Sequence, residues 1–473
     1  MLFSSIPFLY YFLPPVLLLY FLAPTKLKNA VLLAASLIFY GWGEPKFLVM
    51  MVLSIAFGYV FGLLIELANK PAQKKLWLIL SVTSSLAMLG WFKYTDFFLA
   101  NINALTGLSI PLLKIALPIG ISFYTFQLLS YTVDVYRGET PAQKNPITLA
   151  AYVAMFPQLI AGPIVRYSDV AAQLAKRTHS FDLAAEGIRR FVFGLSKKVL
   201  IANALGELCS TFRASSDQSV LFFWMYAAAF TLHIYFDFSG YSDMAIGLGR
   251  IFGFRFLENF NYPYIATSIT DFWRRWHMSL GSWFRDYVYI PLGGNRVPKA
   301  RWFFNLFVVW FLTGFWHGAA WNFIVWGLFY AVLLVIEKMW LLKKLEPTQP
   351  AVHTKIFRHV YVMFFVIMGF VIFNAETMGQ AMTDIGSILG IGGQLPFTSL
   401  ETMYHLRSYA VTFVIAVLGA TPLPKIILQK LRTNTYGRTA LDLAEPAVLV
   451  ALMLLVTACL VDGSFNPFLY FRF

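Results

Sequence analysis

Charge is scarce in this chain: 13% of its 473 residues are Asp, Glu, Lys or Arg, against 59% hydrophobic. That balance, with a mean hydropathy of +0.66, excludes a water-soluble globule and makes the bilayer the solvent. Cysteine is nearly absent. Cys209 and Cys459 lie in or beside apolar stretches far apart in sequence, which implies no disulfide framework and suits buried packing thiols. No tandem repeat, low-complexity tract or Gly/Ser linker divides the chain, so one membrane-embedded domain over 1–473 is expected. The first apolar segment lacks a basic n-region, carries Pro14-Pro15 and runs straight into a second. It reads as a retained span, not a signal peptide. Also missing are a Walker loop, a G-x-S-x-G elbow and a His/Cys set with metal-ligand spacing, so neither a metal nor a bound cofactor is expected.

What is present is a succession of apolar runs, which predicts an all-α polytopic bundle of about 11–13 spans, each needing about 20 apolar residues. Spans are expected near 6–23, 29–43, 47–67, 76–92, 110–132, 147–164, 219–236, 302–316, 320–340, 358–374, 408–424 and 446–462. The pieces at 187–206, 241–254 and 262–300 read as amphipathic or partly embedded helices, and the motif-bearing core as about 110–340. The net charge of +14 does not point to nucleic acid. Much of the surplus falls in alternate loops, at Lys26 and Lys28, Lys70 to Lys75, Arg137 and Lys144, as cytoplasmic loops require. The basic stretch Arg166 to Lys198 breaks that alternation and implies a re-entrant piece nearby.

Two histidines interrupt apolar, tryptophan-rich sequence: His277 in Trp273-Arg-Arg-Trp-His-Met-Ser, and His317 in Thr313-Gly-Phe-Trp-His-Gly. Ionisable groups at membrane depth are costly and normally serve chemistry or line a polar cavity. A continuous helix over Ile269 to Phe284 would set Trp273, Trp276, His277, Leu280 and Phe284 on one face, with Asp271 and Arg275 paired at i, i+4. At His317, Gly314 and Gly318 leave room beside the imidazole, and Trp316 and Trp321 offer flat walls. Histidine can accept a hydroxyl proton near neutral pH, so His317 is the candidate general base and His277 a positioning or proton-sharing partner. His233 and Asp237 share a helix face at i, i+4, and Asp237 either orients a histidine or pins two helices. Ser279, Asn322 or a tryptophan N–H are candidate donors to an oxyanion. Arg274, Arg285 and Arg296 either bind the phosphates of an acyl donor or simply mark the cytoplasmic side and its lipid headgroups.

Several motifs in order, Tyr235-Phe-Asp-Phe-Ser-Gly-Tyr-Ser-Asp243, Trp276-His-Met-Ser279, Tyr289-Ile-Pro-Leu-Gly-Gly-Asn-Arg296 and Trp316-His-Gly318, resemble those of the membrane-bound O-acyltransferase (MBOAT) family. Met1-Leu-Phe-Ser-Ser5 and Phe39-Tyr-Gly-Trp-Gly43 extend the resemblance to nearly the whole chain. It lies with the branch of alginate O-acetylase and peptidoglycan O-acetyltransferase membrane subunits. The resemblance implies an O-acetyltransferase of the bacterial cytoplasmic membrane, with acetyl-CoA as donor, an envelope polysaccharide as acceptor and a separate extracytoplasmic SGNH-type acetyltransferase as partner. It also assigns the essential histidine to His317. The Phe-x-Tyr-x-x-Phe spacing of Phe468, Tyr470 and Phe473 looks like the family's C-terminal tyrosine motif, which would make Tyr470 an acyl relay; an interfacial aromatic anchor is the other reading. The runners-up are D-alanyl transfer to teichoic acid and, from another class, a transporter. The first fits the chain's length and Leu280-Gly-Ser-Trp283 less well, and the second usually shows internal repeats.

Overall fold

A computed structural model describes residues 1–160, 162–341, 352–391, 395–463, 465–467 and 469. Among them there are helices and no strands. In chain order the α-helices are α1 Leu13–Leu22, α2 Lys28–Gly43, α3 Leu48–Leu67, α4 Pro71–Thr106, α5 Ile121–Arg137, α6 Pro146–Ala154 and α7 Phe156–Leu159. Then come α8 Tyr167–Ala175, α9 Phe181–Ser196, α10 Asn203–Ala214, α11 Val220–Ile251, α12 Ile269–Arg275, α13 Met278–Phe284 and α14 Lys299–His317. The last are α15 Trp321–Ile336, α16 Val352–Asn374, α17 Met378–Ile388, α18 Leu400–Gly419, α19 Leu423–Arg432 and α20 Thr435–Val461.

Among the described residues six helices are long and apolar enough to cross a membrane, or seven if the bent pair α18–α19 counts as one. The expected 11–13 is higher because several apolar runs fold into shorter pieces. Residues 107–120, with Pro111 and Pro118, are not helical, so the run expected at 110–132 becomes α5, starting at Ile121. The run at 147–164 is not a span at all. α6 has nine residues, about 14 Å at 1.5 Å per residue, roughly half the hydrocarbon core. After α7 the chain turns back: the Tyr152 hydroxyl donates to the Val165 carbonyl at 2.9 Å, and Gln143 Nε2 donates to the Tyr167 hydroxyl at 2.7 Å. The segment therefore doubles back between residues 143 and 167, the form that the expected re-entrant piece would take. In contrast, Gly240 does not break α11, which continues to Ile251, so no separate piece begins at 241.

The chain packs as two compact units, Met1–Phe191 with Tyr241–Leu257, and Val192–Gly240 with Glu258–Phe473. The stretch 110–340, expected to form one core, is divided between them, because α9 and α11 each contribute to both. In the first unit Phe3, Phe8, Phe12, Phe39 and Phe156 form an aromatic cluster, and Tyr241 stacks on Phe3 at 4.6 Å. The second unit buries Trp276, Trp310, Trp326, Tyr330, Phe370 and Phe373 in one continuous apolar core, and both singled-out histidines belong to it.

Candidate active site

α14 and α15 bring the chemistry of the second unit together through two glycines. A Cβ on Gly314 would collide with the Phe323 backbone, and one on Gly327 with the Trp310 carbonyl. The two backbones approach as closely as small residues permit in membrane helices. His317, the last residue of α14, consequently meets the α15 ring of Trp326 edge-on at 5.2 Å, with Trp316 at 4.9 Å and Phe373 at 5.3 Å. Two expectations change here. The walls are Trp316 and Trp326, while Trp321 is 55% exposed. The space beside Gly318 is filled by the Phe323 ring, not left open for the imidazole.

His277 does not lie on a continuous helix. α12 ends at Arg275 and α13 starts at Met278, with His277 between them at φ 45°, in the left-handed region that non-glycine residues enter at a cost of about 1–2 kcal/mol. Asn259 holds this turn. Its carbonyl accepts from Met278 N at 2.9 Å, and its side-chain Oδ1 accepts from Ser279 Oγ at 2.8 Å and Ser279 N at 3.3 Å. The backbone N–H fixes Oδ1 as an acceptor, so His277 Nδ1, 3.2 Å away, donates and Nε2 is the acceptor nitrogen. Burial pushes this imidazole down to about 3, so it is neutral at physiological pH. Asp271 and Arg275 pair at 2.9 Å as expected.

Each histidine lines its own cavity. His277 faces one of about 510 Å³, whose lining includes Trp273, Trp276, Arg274, Arg285, Tyr289, Thr313 and Lys338. His317 faces one of about 20 Å³, room for a single water-sized group, with Asp237, Phe238, Trp276, Trp326, Phe373 and Leu469. Trp276 is a wall of both. Of the three arginines singled out, Arg274 and Arg285 line the large cavity, and Arg285 also pairs with Asp286 at 2.6 Å. Arg296 is exposed and not part of that lining, held in a turn whose carbonyls at Leu292 and Gly294 accept from Asn305 Nδ2.

The other candidates are placed as follows. Asn322 Nδ2 donates to the carbonyls of Phe373 and Ala375 at 3.1 and 2.9 Å, which occupies both amide hydrogens and makes it a strut to α16. The Ser279 hydroxyl hydrogen goes to Asn259. Asp237 pairs with Lys198 at 2.5 Å, both side chains 1% exposed, and accepts from Leu469 N at 3.1 Å. His233 Nδ1 lies 2.6 Å from the Ala202 carbonyl. Tyr470 lies outside the described residues, but its neighbour Leu469 is buried against the His317 cavity. The tail before it is held by Lys198 on the Pro467 carbonyl and by Asn203 on Asn466.

Sequence reasoning missed Asn259, Trp326, Lys338 and Glu337. The last is fully buried and accepts from Ile269 N, Thr270 N and Thr270 Oγ1 at 2.6–2.8 Å, capping α12 ahead of the two cavity tryptophans. A carboxylate inside an apolar run was the available signal.

Residues 139–378 match the model of the membrane-bound O-acyltransferase family. The chain is 42% identical to "Probable alginate O-acetylase AlgI" of Azotobacter vinelandii, over 100% of both proteins. It is 34% identical to the peptidoglycan O-acetyltransferase of Helicobacter pylori, over 98% of this chain and 90% of that one. The teichoic acid D-alanyltransferase of Bacillus subtilis matches at 32% over 54% of this chain and 69% of its own length. A multi-pass helical protein with paired buried histidines, matched in this way, belongs to the membrane-bound O-acyltransferase family.

Proposed function

We propose that the chain moves acetyl groups from cytoplasmic acetyl-CoA to the acceptor side of the bacterial cytoplasmic membrane, for O-acetylation of an envelope polysaccharide by way of an extracytoplasmic SGNH-type acetyltransferase. The observation that carries this reading is the pair of cavities sharing Trp276. One is large and basic-rimmed, fit for an acyl donor; the other is small and holds His317 beside the C-terminal tail. The relatives named as alginate O-acetylase and peptidoglycan O-acetyltransferase match nearly end to end, whereas the D-alanyltransferase matches over about half. That difference favours acetyl over D-alanyl transfer. Loss of O-acetyl groups from the envelope polysaccharide on deletion of the gene, with restoration by the intact chain, tests the reading; unchanged acetylation with loss of D-alanine would reject it.

In the proposed chemistry His317 takes the proton of the attacking hydroxyl as its oxygen adds to the thioester carbonyl. The tetrahedral intermediate collapses, the ester forms, and the CoA thiolate leaves with the proton from the imidazolium. His277, neutral and held by Asn259, positions the donor. For the oxyanion, Ser279 and Asn322 already have their hydrogens engaged, which leaves the tryptophan option. Trp326 lines the His317 cavity, and its indole nitrogen is buried and meets no acceptor among the described residues. Trp326→Phe keeps the ring and removes the N–H, so kcat should fall about a hundredfold with donor affinity unchanged. Parental kcat would remove Trp326 from the reaction.

Donor binding separates the basic residues. Arg274→Ala, Arg285→Ala and Lys338→Ala should each weaken acetyl-CoA binding about tenfold and make it more salt-sensitive, as loss of a charge-assisted contact does. Arg296→Ala, away from the cavity, should leave it unchanged. Equal affinity in all four proteins would return these residues to a topological role.

A further inference from the structure

The first unit carries a second basic cavity that the acyl-transfer reading does not use. About 280 Å³ in volume, its lining includes Lys26, Lys28, Asn29, Thr148, Arg177 and His179, and none of the residues lining it is acidic. Cations on a cytoplasmic face are ordinary, but these are not merely scattered over it. Lys28 is 9% exposed; its Nζ donates to the Tyr20 carbonyl at 2.8 Å and sits 4.4 Å from that ring's centre, and none of the residues lining the cavity offers it a carboxylate. Arg177 donates through Nη2 to Asn29 Oδ1 and stacks on Phe254 at 4.7 Å. Its Nη1 is buried and meets no acceptor among the described residues. Asn29 in turn donates to the Leu174 carbonyl at 3.1 Å and Thr148 Oγ1 at 3.3 Å, which ties the first turn of α2 to α6 and to α8. Partial desolvation, and then the positive charges of Lys28 and Arg177, push the His179 imidazole down, a sign that the local field is positive.

Buried cations held by carbonyls and rings, with a guanidinium nitrogen left to donate, call for an anion with several acceptor oxygens. We infer that this cavity binds a phosphate group, with Arg177 and Lys28 as its inner contacts and Lys26 at the rim. Phosphate chemistry reaches such a site either as the headgroup of an anionic phospholipid or as a soluble phosphate, and an arginine fork with a lysine point charge suits both. A bound phosphate would bridge Lys28 on α2 to Arg177 after α8 and so brace the re-entrant segment.

The test uses the full-length protein in a neutral detergent. Native mass spectrometry counts bound dioleoylphosphatidylglycerol against phosphatidylcholine, and thermal unfolding compares sodium phosphate with sodium chloride at equal ionic strength. Arg177→Gln should weaken the preferred phosphate ligand about tenfold and Lys26→Gln several-fold. Lys26 is exposed, so that variant carries the test if Arg177→Gln does not fold. Preference for phosphatidylglycerol identifies the lipid as the source, and protection by inorganic phosphate alone identifies a soluble one. If the protein distinguishes neither lipid nor either salt, or if a folded variant binds as the parent does, the site is no phosphate site.

Discussion

His317→Ala should abolish acetylation of the polymer while the protein still inserts in the membrane and still binds acetyl-CoA. The imidazole lies at the end of α14 on the small cavity, and the large cavity's lining does not include it. Loss of a general base costs about 10²–10⁴ in rate. Its ring packs edge-on against Trp316, Trp326 and Phe373, so His317→Gln is the better-filled control for stability. His277→Gln should behave differently. A side chain that positions the donor alters KM with kcat, and burial keeps His277 neutral across the physiological range. An acid-side fall in rate, as the base takes up a proton and can no longer accept one, should therefore persist in His277→Gln. Its disappearance there would exchange the roles of the two histidines.

Tyr470→Phe should remove transfer to the polymer entirely if the phenol carries the acetyl group, and should leave donor binding unaltered. Tyr470 itself lies outside the described residues, but Asn466, Pro467 and Leu469 before it are placed. The tail is clasped by Lys198, Asn203 and Asp237, and Leu469 forms part of the His317 cavity wall. An interfacial anchor would need no buried ion pair to receive it. Phenylalanine keeps the anchor and loses only the hydroxyl, so parental transfer by Tyr470→Phe would end the relay. Lys198→Met separates the two ideas further. It breaks the clasp, leaves Asp237 with an uncompensated buried charge, and should lower both stability and transfer.

Much of this was legible in the sequence, because apolar runs and isolated histidines are local signals. Trp316-His317-Gly318 and Trp276-His277 mark the site without any partner in view. What escaped depends on contacts between distant positions. Glu337 caps a helix that begins 68 residues earlier, and Asn259 shapes a turn at His277 that has no glycine to announce it. The helical face drawn through His277 failed for that reason: the left-handed residue interrupts the period and rotates α13 away from α12. Pro157 and Gly162 interrupt the apolar run at 147–164, yet only the return of Val165 to Tyr152 shows that the segment turns back. Gly314 and Gly318 were expected to leave room beside the imidazole, but Phe323 takes that space, its backbone against Gly314 and its ring against Gly318.

The most direct measurement supplies acetyl-labelled CoA to the purified chain, alone and with its extracytoplasmic acceptor, and follows released CoA thiol together with label on protein and acceptor. The parent protein should release thiol and pass label onward. His317→Ala, shown by binding to hold the same donor, should do neither above background. Label transferred by His317→Ala at the parental rate would contradict the account.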